Sequence, residues 1–217
     1  MILTHRRNNC ILLIIIFFHA IGGIGLSLEN NKFFLDFTPI QIYFNFLIFS
    51  FLTIRREKIF EYIFFSSVIF SLGLFIEIIG VKTQYIFGNY RYGSVLGYSI
   101  YNVPITIGLN WLLLSYISSG IIQMFKLNIK LKFAIASLIM VLLDYLIEPV
   151  AVNLKWWYWD NINPPILNFI AWFLISYIIQ VIIYFSRLKF NKKTSLTFLL
   201  SQILLFLIIN IKFYVFN

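Results

Sequence analysis

Seven long apolar runs, separated by short connections that carry most of the charge, constrain this chain more than any motif in it. A helix needs roughly 20 apolar residues to cross the hydrocarbon core of a bilayer, where every backbone polar group must be satisfied internally. The runs cover residues 11–28, 38–54, 59–81, 101–122, 131–152, 166–186 and 194–215. The second is short and follows Pro39. With 61% hydrophobic and 12% charged residues, the chain lacks the polar surface of a soluble domain, about a quarter of whose residues are charged. The expected fold is all-α: a polytopic membrane helical bundle of about seven transmembrane helices with a short re-entrant or interfacial loop. It forms a single transmembrane domain over 1–217.

The basic residues supply the topology. Cytoplasmic loops hold an excess of Lys and Arg. Alternate connections give one side Arg6, Arg7, Arg55, Arg56, Lys58, Lys126, Lys130, Lys132, Arg187, Lys189, Lys192 and Lys193. The other side receives only Lys32, Lys82, Arg91, Lys155 and Lys212. This bias puts the N-terminus in the cytoplasm of a chain embedded in the cell (inner) membrane, and only an odd number of spans preserves it. Arg6 and Arg7 precede the first run as in a signal peptide, but that run exceeds an ordinary h-region and lacks an A-x-A site. It reads as the first span.

The net charge of +9 does not signal nucleic acid, because the cations fall in short clusters between apolar runs instead of on one basic face. Cys10 alone permits no internal disulfide, and His5 and His19 cannot furnish a His-rich metal site. No dinucleotide glycine motif, Walker loop, zinc-protease signature or histidine box is present, and Asp144 has no Asp partner at magnesium-diphosphate spacing. Chemistry here is expected to need protons, water and protein groups, with no cofactor and no metal.

Two connections are too structured for plain loops. Residues 82–100 space Gly88, Gly93 and Gly97 among Tyr85, Phe87, Tyr90, Tyr92 and Tyr98, and residues 155–165 hold Trp156, Trp157, Tyr158 and Trp159. The bland reading of the tryptophans is an aromatic belt at the membrane interface; the glycine spacing looks more like a shaped or re-entrant loop.

Ionisable groups within spans are costly and usually face a cavity or a partner. Glu77, Asp144 and Glu148 are the candidates, while Glu61 lies near a helix end within reach of Lys58. Asp144 and Glu148, four apart, share a helical face and cannot both carry charge cheaply in a dry place, so the pair should share a proton. Pro149 either kinks that helix or marks its end. Asn102, Thr106 and Asn110 are spaced as a polar stripe on span four, and Asn168, Trp172 and Ser176 as another on span six. These groups crowd toward one side of the membrane, leaving the cytoplasmic half almost purely apolar. Polar contacts that merely glue helices together are the plainer account.

Two blocks then carry a family likeness. Glu77-Ile-Ile-Gly80-Val-Lys-Thr, Phe87-Gly-Asn-Tyr90-Arg-Tyr92-Gly, Leu96-Gly, Val103-Pro104 and Asn110-Trp111 form the first. Asp144-Tyr-Leu-Ile-Glu148-Pro149-Val-Ala151, Trp157-Tyr-Trp159, Pro165 and Asn168-Phe-Ile-Ala-Trp172 form the second. Together, over roughly residues 70–180, they resemble the integral membrane carotenoid hydratases of the carotenoid biosynthesis protein family, bisanhydrobacterioruberin hydratase among them. Glu148 departs from the pattern, which has Asp before the proline in many members.

The resemblance implies addition of water across the terminal trisubstituted double bond of an acyclic carotenoid end, of lycopene or gamma-carotene type, giving a tertiary alcohol. Protonating an alkene creates a tertiary cation, so the site needs a protonated acid, aromatic faces and a positioned water. Asp144 or Glu148 would donate the proton, with the other or Glu77 orienting water. Tyr90, Tyr92, Asn110, Trp111, Trp157, Asn168 and Trp172 would bind the substrate. A lipophilic carotenoid reaches such a site from the membrane lipid, and association with other carotenoid pathway enzymes is open. Competing readings are a lycopene-type cyclase using the same cation, a small membrane transporter, and a structural membrane subunit.

Overall fold

A computed structural model describes the backbone of residues 2–161 and 163–215, and side chains over 9–161 and 163–214. The side chains of His5, Arg6 and Arg7 lie outside the described residues. Among the described residues, seven helices are each long and apolar enough to cross a membrane: α1 (Ile2–Leu26), α2 (Lys32–Thr53), α3 (Ile59–Thr83), α4 (Ile105–Ile122), α5 (Ile129–Asn153), α6 (Ile166–Ser186) and α7 (Lys192–Val215). Phe17, Phe60, Phe64, Phe75 and Leu174 point outward and are more than half exposed, as suits side chains dissolved in lipid.

The bundle is built around α4, which packs on α2, α3, α5, α6 and α7. It is 83% buried, where the other spans reach at most 50%. Enclosed on all sides, α4 carries small residues where neighbours come closest. A Cβ on Gly108 would lie 2.9 Å from the Phe70 ring, and one on Gly120 would meet Ser195 Oγ at 2.0 Å. Small residues at such contacts let helices approach closely without a hydrophobic driving force.

Four short strands close one end of the bundle: β1 (Tyr90–Tyr92), β2 (Ser99–Ile100), β3 (Val103–Pro104) and β4 (Trp157–Trp159). β1 pairs antiparallel with β4, in the register Tyr90 with Trp159, Arg91 with Tyr158 and Tyr92 with Trp157. The two structured connections therefore meet in one ladder across the helix ends. Gly93 makes the junction possible: its N–H donates to the Trp156 carbonyl at 2.8 Å, and a Cβ there would fall 2.1 Å from the Lys155 carbonyl oxygen.

Three sequence expectations change. α2 begins at Lys32 and runs through Pro39; a proline two turns into a helix removes one hydrogen bond without ending it. Helix α4 begins only at Ile105, because β2 and β3 form a hairpin whose turn residues Tyr101 and Asn102 have φ of 49° and 66°. Asparagine tolerates that left-handed turn geometry, so Asn102 sits on the turn and does not extend the Thr106–Asn110 stripe. The end remote from the ladder is also not purely apolar: Ser66 bonds Tyr116 and Ser50 bonds Tyr62, each at 2.9 Å, and Gln180 donates to Ser118 Oγ at 3.1 Å.

Candidate functional site

The ladder's period of two sorts its side chains. Tyr90, Tyr92, Trp157 and Trp159 face the bundle, while Arg91 lies over the Tyr158 ring on the outer side, 5.3 Å from its centre. The inward set meets the carboxyls that α3 and α5 send up from below. All three carboxyls are buried: Glu77 is 3%, Asp144 1% and Glu148 4% exposed.

Glu77 accepts three hydrogen bonds, from Tyr90 Oη at 2.5 Å and Tyr92 Oη at 2.8 Å on Oε2, and from Trp111 Nε1 at 2.8 Å on Oε1. Burial, and then the charge on Glu77, hold both tyrosine hydroxyls well above their ordinary range, which keeps them protonated donors. Glu148 also has three donors: Trp159 Nε1 at 2.7 Å and Trp157 Nε1 at 3.0 Å on Oε2, and Asn168 Nδ2 at 3.2 Å on Oε1. Among the described residues, Asp144 receives only the Asn168 amide, at 2.9 Å on Oδ2. Asn168 from α6 thus bridges both carboxyls of α5. Indole N–H groups only donate, so Glu148 Oε2 is an acceptor in this arrangement, and Asp144 Oδ1 has no donor among the described residues.

Pro149 lies inside α5, which continues to Asn153, so it does not mark the helix end. Three residues before it, the Leu146 carbonyl accepts a hydrogen bond from Asn210 Nδ2 of α7 at 2.9 Å.

A cavity of about 30 Å³ lies among these groups, and a site needs roughly 10–15 Å³ to hold a water. Glu77, Tyr90, Tyr92, Asn110, Asp144, Glu148, Trp157, Asn168 and Trp172 line it. Trp111 stands one layer out, stacked on Trp172 with centroids 3.9 Å apart. The ten residues singled out in the sequence therefore converge on one place. Phe87, Ile107, Ile147 and Trp159 line the cavity as well. Trp159 was the legible omission, since the alternation Trp157-Tyr158-Trp159 puts both tryptophans on one face of a strand. Among the described residues, no group of three or more His, Cys, Asp or Glu side chains could hold a metal ion.

A second cavity, of about 70 Å³ and mostly apolar, adjoins the first. Ile107, Asn110, Ile147 and Trp157 line both. Its far walls come from α1, α2 and α7, with Leu26, Ile42, Leu205 and Phe206 among them, and Leu113 of α4 lines it as well.

Seven membrane-length apolar helices that enclose three hydrogen-bonded carboxyls beneath an aromatic cap define a polytopic membrane protein with a sheltered polar site. The chain belongs to the carotenoid biosynthesis protein family, which matches residues 37–216, from within α2 through α7. Its role is in carotenoid biosynthesis. No curated protein and no solved structure matches it.

Proposed function

We propose that the protein is a cofactor-independent carotenoid hydratase that adds water to the terminal double bond of an acyclic carotenoid end. The observation that carries this reading is the unequal solvation of the α5 pair: Glu148 faces three donors and Asp144 one. A carboxyl with few donors is the better proton carrier, and one ringed by donors the better anion.

In this mechanism the polyene end occupies the apolar cavity, with its double bond turned toward the carboxyls past Ile107 and Ile147. Asp144 gives its proton to the less substituted alkene carbon, and the π electrons form the new C–H bond. The tertiary cation that results lies against the faces of Trp172 and Trp157, which stabilise positive charge. A water in the smaller cavity attacks the cation, and Glu148 takes the proton that the water loses. Proton return from Glu148 to Asp144 resets the pair, so the net change is alkene plus water to tertiary alcohol. Glu77, with its three donors, anchors the ladder and supplies negative potential beneath the cation.

The charge bias favours a cytoplasmic N-terminus, with the carboxyl end of the bundle toward the outer leaflet. Expression in a host that makes acyclic carotenoids tests the reaction. Hydration adds the mass of one water per modified end, and Asp144→Asn abolishes that product. A pigment of unchanged mass but altered ring content would instead mean that the cation is captured by an internal double bond.

A further inference from the structure

The opposite end of the bundle holds a larger cavity, of about 670 Å³. Five cations line it: Arg55 between α2 and α3, Lys132 in the first turn of α5, and Arg187, Lys189 and Lys192 where α6 passes into α7. None of the five makes an ion pair among the described residues, and the neighbouring carboxylate of Glu61 is engaged by Lys58 at 2.6 Å. Between the cations the wall is apolar, formed by Ile122, Phe133, Ile183, Leu188 and Phe190.

The segment bearing Arg187 and Lys189 is held in place from α4. Gln123 Nε2 donates to the Leu188 carbonyl at 3.2 Å, and the Phe190 N–H donates to Gln123 Oε1 at 3.3 Å. The Leu188 N–H also donates to Ser186 Oγ at 3.1 Å. A topological preference for cytoplasmic cations accounts for their number. It does not account for their convergence from three connections on one apolar-walled cavity, where like charges repel unless an anion is present. Ile129 and Tyr184, both exposed, belong to the same wall and offer an apolar surface for a lipid chain.

We propose that this cavity binds an anionic phospholipid, its phosphate among Arg187, Lys189 and Lys132 and its acyl chain along Ile129 and Tyr184. Basic pockets between spanning helices are suited to such head groups. The inference is independent of the reaction proposed above.

The test uses the full chain in non-ionic detergent, titrated with phosphatidylglycerol, with phosphatidylcholine of the same acyl chains, or with inorganic phosphate. Bound adducts are read by native mass spectrometry and melting temperature. Phosphatidylglycerol is expected to bind and raise the melting temperature; the other two are not. The double variant Arg187→Gln, Lys189→Gln should weaken phosphatidylglycerol about thirty-fold, two charges' worth of attraction. Position 187 has φ 54°, a conformation that Gln84 already adopts in this chain at 61°. The variant Lys126→Gln, Lys130→Gln, with the same change of charge outside the cavity, should leave binding intact.

Equal retention of phosphatidylcholine, an unaffected cavity variant, or equal loss in both variants would overturn the proposal. Displacement of phosphatidylglycerol by equimolar phosphate would overturn the lipid assignment. If the cavity variant does not fold, the wild-type competition between the two lipids decides alone.

Discussion

The indole rings of Trp111 and Trp172 stack with centroids 3.9 Å apart and planes 16° from parallel. Trp111 also donates its N–H to Glu77 at 2.8 Å, so one side chain fixes both the carboxyl of α3 and the ring that faces the cavity from α6. Trp111→Phe keeps an aromatic ring near Trp172 but removes the donor. Losing a hydrogen bond to a charged group should cost about 1.5–3 kcal/mol, read as a lower melting temperature in detergent. Trp111→Leu, which loses the stack as well, should cost more. Equal costs would show that the stack contributes nothing.

Asp144→Asn and Glu148→Gln should each lower hydration by at least about 10²-fold, the usual scale for removing an acid or base. Asn168→Leu leaves both carboxyls in place and removes the amide that bridges them, so it should lower turnover while the protein still folds. Pigment analysis of cells expressing each variant measures this. Full activity in both carboxyl variants would end the proton-transfer scheme.

High pH offers a test outside the spans. The hydroxyls of Tyr90 and Tyr92 hold their protons well above the ordinary range, whereas in the unfolded chain they lose them near pH 10. Their stabilising contribution is therefore complete below about pH 10 and falls as pH rises beyond it, because the unfolded chain then releases protons that the folded one keeps. Tyr90→Phe with Tyr92→Phe should flatten that decline, and the native wild type should show their phenolate absorbance only on unfolding.

Gly93→Ala tests the cap without touching a reacting group. The new Cβ would meet the Lys155 carbonyl oxygen at 2.1 Å, and backbone on both sides cannot give way cheaply. A cost of about 1–3 kcal/mol is expected from overpacking of this kind, with a change in tryptophan fluorescence and a loss of activity. Unchanged activity and fluorescence would mean that the ladder does not shape the site.

Leu113→Phe narrows the apolar cavity while leaving the carboxyl cavity lined as before. It should raise KM for a carotenoid end more than it lowers kcat. The reverse split would move the end group to another part of the bundle.

The span count and the carboxyl pair were legible because they rest on local periodicities: a long apolar run, and a spacing of four that keeps Asp144 and Glu148 on one face. The ladder was not legible, because its strands are three residues each and pair across two intervening helices. The alternation puts Trp157 and Trp159 on one face of a strand, but nothing in it says that Tyr92 and Tyr90 lie opposite them. Asn102 misled for a related reason: its spacing from Thr106 matches a helix, and nothing local announces that the chain has already turned. Pro39 misled in the other direction, as a breaker that α2 accommodates.

The pairing of Tyr90–Tyr92 with Trp157–Trp159 also orders events during biosynthesis. The donors to Glu77 leave the ribosome early, but the strand that seats them follows only after α5, and Asn168 later still. A chain halted midway would hold acids without their indole and amide escorts. Chemical competence in this protein is thus a property of the last stages of its assembly.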